Sequence, residues 1–288
     1  IEAGSNHNKF IFSRGSSNYD FIFSVNVDEN NELYTTSGIK DNEIWILQIN
    51  FNGLYETEET YGSELSGVGE SDKSMIFVDG NYIQTGWTIL NSGSDMDAYI
   101  MEFDNNLNLI NSNFYCSNFN CIDNNNNNIC DENEETSIVD KYTIDDDDDR
   151  AVSIIRTTDN HYVLAGSSNN DESNQFFIWS IKTDLDGNEV WNTETNLPYS
   201  LTFNNSASSI IEASDGDYII LANIDNGSYN TDIWINKLNS YNGSMMILND
   251  EIESESTCSN IAGYCYGGES IDEAYTIIPY NGEYVIAG

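Results

Sequence analysis

Cations are scarce in this chain. Lys plus Arg number 9 against 49 Asp plus Glu in 288 residues, a formal charge of −40. Nucleic acid and anionic membrane surfaces repel such a chain, so neither is an expected partner. Histidine is rarer still: only His7 and His161 are present, and His161, in a turn beside Tyr162, reads most simply as exposed. A Ser-His-Asp mechanism needs a base oriented by a third group, and no Gly-x-Ser-x-Gly motif occurs. Prolines number 2 and no stretch sustains a helical period, which argues against a helical solenoid. No apolar run is long enough for a membrane helix, so insertion into a bilayer is not expected.

What is present is a recurring phrase: a short polar turn, Tyr, three mostly small or aliphatic residues, then Gly or Ala. It occurs at Tyr34 to Gly38, Tyr82 to Gly86, Tyr162 to Gly166, Tyr218 to Ala222 and Tyr284 to Gly288. Recurrence at this scale means a repeat architecture. Before each turn lies an alternating apolar stretch, such as Phe21 to Val27 or Ala151 to Arg156, which reads as a strand entering a hairpin. After the phrase come a polar loop and a third apolar run, such as Ile44-Trp45-Ile46-Leu47 or Ile233-Trp234-Ile235, too short for an ordinary helix and rich in β-branched and aromatic residues. A turn at Asn52-Gly53, Asp104-Asn105-Asn106, Asp186-Gly187-Asn188 or Asn242-Gly243 then leads to a fourth strand.

Four antiparallel strands per repeat make one propeller blade. The interval from Tyr34 to Tyr82 fits a blade of roughly 45 to 50 residues, and the longer intervals then contain insertions. A parallel β-helix is the rival, but its rungs are much shorter than this period. The expected fold is therefore all-β, a β-propeller of four-stranded antiparallel blades with about five repeats in this segment. The expected blades are 1–18 (partial), 19–69, 70–149 with an insertion at 111–149, 150–204, 205–268 with an insertion at 250–268, and 269–288 (partial). Both ends fall at the same phase of the repeat. We read the chain as a segment of a longer array that can belong to a larger ring; the alternative has residues 1–18 completing the last blade.

The phrases Asp-Gly-x-Tyr-Ile-x-x-Gly and Asp-x-Trp-Ile-x-Lys-Leu, clearest at Asp215 to Ala222 and Asp232 to Gly243, resemble the propeller repeats of large secreted or surface-anchored bacterial proteins. The resemblance implies a fold and an extracellular or cell-surface location. It implies no catalytic residue.

The 5 cysteines, Cys116, Cys121, Cys130, Cys258 and Cys265, sit in two insertions, where disulfides staple loops that lack a core. Cys258 with Cys265 and Cys121 with Cys130 are the candidate pairs; reduced cysteines in a cytosolic protein are the alternative. The longest insertion holds Asp123, Asn125, Asn127, Asp131 and Glu134 at loop positions 1, 3, 5, 9 and 12, with the Ile129 carbonyl at 7. That is the oxygen spacing of an EF-hand-type calcium loop. It resembles the calcium loops of dockerin and thrombospondin type 3 repeats, departing from them with Asn128 at the usual Gly position and with neutral ligands at positions 3 and 5. A structural Ca²⁺ is expected there; chance spacing in an Asn-rich loop is the plain alternative. The run Asp145 to Asp149 reads as a solvated loop relieved by Arg150.

Arg14, Arg150 and Arg156 are too few for the arginine cluster of a sialidase-like propeller. The leading expectation is a non-catalytic extracellular module that binds a glycan or protein, stabilised by calcium. The alternatives are a carbohydrate-active hydrolase or lyase and a structural spacer. Candidate binding loops are Gly86 to Asp97, Gly166 to Gln175 and Ala222 to Asp232, with Trp87 either stacking on a ligand or packing on a neighbouring blade.

Overall fold

The computed structural model describes residues 20–62, 67–69, 73–88, 96–115, 148–170, 175–195, 205–225, 231–246, 263–267 and 270–288. Sheet 1 holds β1 (Phe21–Asp28), β2 (Leu33–Lys40), β3 (Glu43–Asn50) and β4 (Tyr55–Tyr61) in chain order. Sheet 2 holds β5 (Gly67–Val68), β6 (Met75–Val78), β7 (Asn81–Thr88), β8 (Asp97–Phe103) and β9 (Leu109–Tyr115), with β5 and β6 both pairing β7 as two halves of a first strand. Sheet 3 holds β10 (Asp148–Arg156), β11 (Tyr162–Asn170), β12 (Gln175–Thr183) and β13 (Glu189–Thr195). Sheet 4 holds β14 (Ser206–Glu212), β15 (Tyr218–Asp225) and β16 (Thr231–Leu238), and both β17 (Met245–Met246) and β18 (Tyr264–Tyr266) pair the outer edge of β16. Sheet 5 is described as the hairpin β19 (Thr276–Tyr280) and β20 (Glu283–Ala287).

Every pairing is antiparallel, and each sheet's first strand packs on its neighbours' strands. Hydrogen bonds join these inner strands. Asn26 Nδ2 donates to the Met75 carbonyl at 2.8 Å, the Ile154 amide to the Lys73 carbonyl at 2.9 Å, and the Ile210 amide to Ser153 Oγ at 3.3 Å. Lys73 Nζ donates to the Ile277 carbonyl at 2.6 Å and to Ser209 Oγ at 3.3 Å, so one side chain of sheet 2 touches sheets 4 and 5. The sheets therefore curve about a common axis, and the molecule is a β-propeller built of four-stranded antiparallel blades.

The repeated phrase has a specific packing role. Its Tyr lies on the preceding sheet: Tyr82 clusters with Ile44 and Ile46, Tyr162 with Ile83, and Tyr218 with Val163. Its final Gly or Ala stands opposite the third-strand aromatic in four pairs, Gly38 with Trp45, Gly86 with Tyr99, Gly166 with Trp179 and Ala222 with Trp234. On its other side the first strand bulges, between Ile22 and Ser24, Ala151 and Ser153, and Ala207 and Ser209. In sheets 1 and 3 the carbonyl one residue before the bulge lies close to the phrase-final position, whereas in sheet 4 the same bulge leaves room for the Cβ of Ala222. A Cβ on Gly166 would fall 1.7 Å from the Arg150 oxygen, and one on Gly38 would fall 1.8 Å from that of Phe21. Close backbone approach, not backbone dihedral, demands glycine there.

The hairpins use ordinary turn chemistry. Asp79-Gly80 has φ of 52° and 89° and Asn281-Gly282 has 50° and 83°, as a type I′ turn requires. In the later turns Asp104 Oδ1 accepts from the Asn106 and Asn108 amides, both at 2.8 Å, and Asp184 Oδ1 accepts from Asp186 at 3.0 Å and Asn188 at 2.8 Å. The Asp-x-Asp-Gly-Asn phrase is thus a self-capping turn.

Gly166→Ala is expected to destabilise the protein by about 1–3 kcal/mol through overpacking against β10. Ala222→Gly, at the position where sheet 4 already seats a Cβ, should cost only about 0.5–1 kcal/mol. Urea midpoints at constant slope measure both; equal, small effects would contradict the close-approach account.

Candidate functional site

Antiparallel order gives the propeller two unlike faces. One carries the hairpins from first to second strand and the turns from third to fourth; the other carries the links β2–β3, β7–β8, β11–β12 and β15–β16 and the departures from one sheet to the next, β2–β3 being a two-residue turn at Asp41-Asn42. The three candidate binding loops therefore leave from the same connection face. So does the passage from β9 to β10, which contains the candidate calcium ligands Asp123, Asn125, Asn127, Ile129, Asp131 and Glu134 together with Cys121 and Cys130. These residues and Cys258 lie outside the described residues. Among the described residues no group of three His, Cys, Asp or Glu is placed to hold a metal ion.

On the connection face, sheets 2 and 3 bring together Trp87 at the end of β7, Arg150 near the start of β10 and Phe176 at the start of β12. The Arg150 guanidinium lies 5.7 Å from the Trp87 ring centroid and 6.0 Å from that of Phe176. Both rings are half-buried. The indole rests on Gly67, where a Cβ would fall 2.4 Å from ring atoms. Trp87 thus packs across its own sheet and against Arg150 of the next blade, while part of its surface stays accessible. Asp148 Oδ2 lies 3.7 Å from Arg150 Nη2, and Asp148 Oδ1 accepts from the Met96 amide at 3.1 Å. The expected solvated acidic loop ends here: Asp148 and Asp149 begin β10, and Asp149 is buried with its amide donating to the Met96 carbonyl at 2.6 Å.

Arg150 differs from the other described cations. Lys40 donates to Glu58 at 3.2 Å, Arg156 pairs Asp79 at 3.2 Å, Lys182 donates to Asp159 at 2.7 Å, and Lys237 is held by Asp215 and Asp217. Each braces a hairpin or joins two sheets. The Arg150 side chain makes no hydrogen bond among the described residues, and 38% of it is exposed against 21% for Lys40 and 5% for Lys182. A guanidinium with free donors, a carboxylate acceptor beside it and two aromatic faces can engage a hydroxyl-bearing ring through stacking and hydrogen bonds together.

Of the other singled-out residues, Cys265 lies in β18, buried and paired in register with Trp234. His161 is half-buried, its Nδ1 2.9 Å from the Asp159 carbonyl and its amide donating to Thr157 Oγ1 at 2.9 Å, so it closes the β10–β11 turn. Sequence reasoning found Trp87 but assigned Arg150 only to charge relief and passed over Phe176. The signal for both was their phase, because Arg150 precedes the bulge that meets Gly166 and Phe176 lies three residues before Trp179.

No protein-family model matches this chain, and no curated protein matches it. Among solved structures, the endo-1,4-beta-xylanase of Bacteroides thetaiotaomicron overlays with a TM-score of 0.45 at 12% identity, covering 77% of this chain and 72% of its own. The endo-arabinase of the same organism gives 0.43 at 13% identity, covering 92% and 87%. Sucrose-6-phosphate hydrolase of Lactobacillus gasseri gives 0.38 at 10%, covering 77% of this chain and 47% of its own. At these values nothing about this chain's chemistry follows from the likeness. No helix among the described residues is long and apolar enough to cross a membrane.

The hairpin-face ion pairs set a pH dependence. Burial raises the Asp159 carboxyl, but hydrogen bonds from Lys182 and Thr157 and the Lys182 charge outweigh it and bring its pKa down to about 2 from 3.8. A depressed folded-state pKa means stability that is present above pH 4 and lost as pH falls through 2. The Asp159 side chain is half-exposed, so solvent weakens the effect. Asp159→Asn should remove part of the stability lost between pH 4 and pH 2 while lowering stability at neutral pH. Urea unfolding of both proteins across that window tests this, and parallel pH profiles would refute it.

Proposed function

We propose that this propeller is a non-catalytic extracellular module that binds a glycan through its connection face. The observation that carries this reading is Arg150, half-exposed and with no side-chain hydrogen bond among the described residues, set beside Trp87, Phe176 and Asp148. Such a site stacks a sugar ring on the aromatic surface while Arg150 donates to, and Asp148 accepts from, its hydroxyls. Neutral sugars suit it best, because Asp148 and Asp149 and the overall charge of −40 disfavour polyanions. The connections of varied length on the same face would supply the remaining contacts.

The location belongs to this reading. Cys258 and Cys265 form one disulfide and Cys121 and Cys130 another, as an oxidising compartment allows. Asp123, Asn125, Asn127, Ile129, Asp131 and Glu134 hold a structural Ca²⁺ whose neutral ligands keep affinity in the range of extracellular modules, about 10⁻⁴–10⁻³ M.

Two measurements test these statements. A glycan array of neutral and acidic oligosaccharides should yield neutral binders, and calorimetry with the strongest should show about a tenfold or greater loss in Arg150→Ala and in Trp87→Ala. Both variants should keep the parent melting temperature within a few degrees. An array without binders, or affinity unchanged in both variants, would overturn the reading. Separately, millimolar calcium should raise the melting temperature relative to chelator and to magnesium at equal ionic strength, and Asp123→Ala with Glu134→Ala should abolish the rise. Identical responses to calcium and magnesium would remove the metal from the account.

A further inference from the structure

Two buried polar atoms at the edge of the site formed by Trp87, Arg150 and Phe176 lack partners, and they are complementary. Asn169, in β11, stands directly opposite Asp148 of β10 on one side and Phe176 of β12 on the other, so the three residues share one face of sheet 3. Asn169 is 6% exposed, and its Oδ1, an acceptor, is buried with no hydrogen-bond partner among the described residues. Arg150 stands opposite Ser167, two residues along β11 from Asn169. Its Nε, a donor, is likewise buried and without a hydrogen-bond partner, although the side chain as a whole is half-exposed. Unpaired buried groups of this kind cost stability. Other buried polar side chains of the connection face are satisfied: Ser168 Oγ donates to Glu194 at 3.1 Å, and Asn205 Oδ1 accepts from the Asp225 amide at 3.1 Å. Asn169 and Arg150 are diagonal neighbours of an antiparallel pair, about 7–8 Å apart at Cα. One bridging group that accepts from Nε–H and donates to Oδ1 satisfies both, and a hydroxyl does so.

We propose, on the glycan-binding reading of this face, that Asn169 determines specificity by reading the primary hydroxyl of a hexose. A sugar ring stacked on the accessible aromatic surface keeps its own hydroxyls level with the outer guanidinium nitrogens and Asp148. Nε and Oδ1 are closed to solvent, so a group that meets them has to project from the ring into the sheet. Rotation of the Arg150 side chain, which no hydrogen bond holds among the described residues, opens the way. On a neutral sugar the hydroxymethyl arm is the group that projects, with its oxygen one carbon clear of the ring. That oxygen accepts from Arg150 Nε–H while its proton is donated to Asn169 Oδ1. Pentopyranoses lack the arm and 6-deoxy sugars lack its hydroxyl, so both leave the two atoms unpaired. A site built around buried polar groups rejects a ligand without the matching group far more strongly than an apolar pocket does. A uronic acid is rejected as well, because its carboxylate accepts from Nε but has no proton for Oδ1.

Titration of the whole 288-residue chain with methyl glycosides, read by ligand-observed NMR, tests the proposal. The probes are methyl glucoside, galactoside and mannoside, each beside its 6-deoxy and 6-deoxy-6-fluoro analogues, and methyl xyloside as the glucoside without its arm. At least one hexoside should bind about tenfold or more tightly than its 6-deoxy and 6-fluoro analogues, since fluorine fills the space but donates no proton. Asn169→Leu should bring that hexoside down to its 6-deoxy analogue while leaving the affinity of the analogue within about twofold. Its melting temperature should equal or exceed the parent's, because an unpaired buried acceptor is removed; an asparagine with a purely structural role would lower it. If Asn169→Leu fails to fold, the analogue series on the parent protein decides alone. Hexosides that need Arg150 and Trp87 yet bind no better than their 6-deoxy forms would overturn the role of Asn169 and leave glycan binding standing, as would a preference for the primary hydroxyl that survives in Asn169→Leu. Absence of binding by every glycoside at its solubility limit would overturn it too, and the glycan array then decides whether the wider reading falls with it.

Discussion

A sheet that is apolar on both faces cannot stand alone in water, and every other feature of this chain follows from that constraint. Sheets 2, 3 and 4 each bury a Tyr and a second aromatic against the sheet before, and aliphatic residues against the sheet after. Truncating one such aromatic typically costs about 3–5 kcal/mol, so these contacts outweigh any single hydrogen bond in the molecule. Close stacking needs slim strands at the crossing point. The phrase-final glycine supplies this where the bulged first strand brings its carbonyl to the second strand.

The two ends of the described stack show what the constraint does when no neighbour is in place. The position filled by Met75, Ile154, Ile210 and Ile277 is at most 1% exposed in sheets 2 to 5, but its equivalent in sheet 1, Val25, is 59% exposed. On the opposite face, Val163 is fully buried in sheet 3 while Val285 of sheet 5 is 46% exposed. All of these residues are apolar, so the difference is one of covering. The apolar residues were placed for a neighbour on each side, as the alternation in β1 and β20 already implied.

Much of this was legible in the sequence because the determinants are local. Alternation of period 2, Asp-Gly and Asn-Gly turns and the Tyr phrase each act within a few residues, and together they specified strand order and hairpins. The role of the glycine was not legible, since it depends on how closely a carbonyl of a different strand approaches. Nor was the break of the first strand in sheet 2 into β5 and β6, where six residues stand in place of a bulge. The site was half legible: a Trp after the phrase stood out, whereas Arg150 reads as one charge in an acidic run until β10 carries it across to Trp87 and Phe176.

Charge adds a second layer to the argument. With 9 cations against 49 acids, each cation gains strongly from a nearby carboxylate, and Lys182, Lys237 and Arg156 are held in ion pairs of that kind. Most described carboxylates without a cationic partner are at least partly exposed, with Asp28, Asp149 and Asp232 buried as exceptions, and repulsion among the exposed ones is screened beyond about 8 Å at physiological salt. That repulsion opposes the edge-to-edge and face-to-face association that exposed strands invite. It does not prevent packing within one chain, because the faces that stack between sheets are lined by apolar clusters.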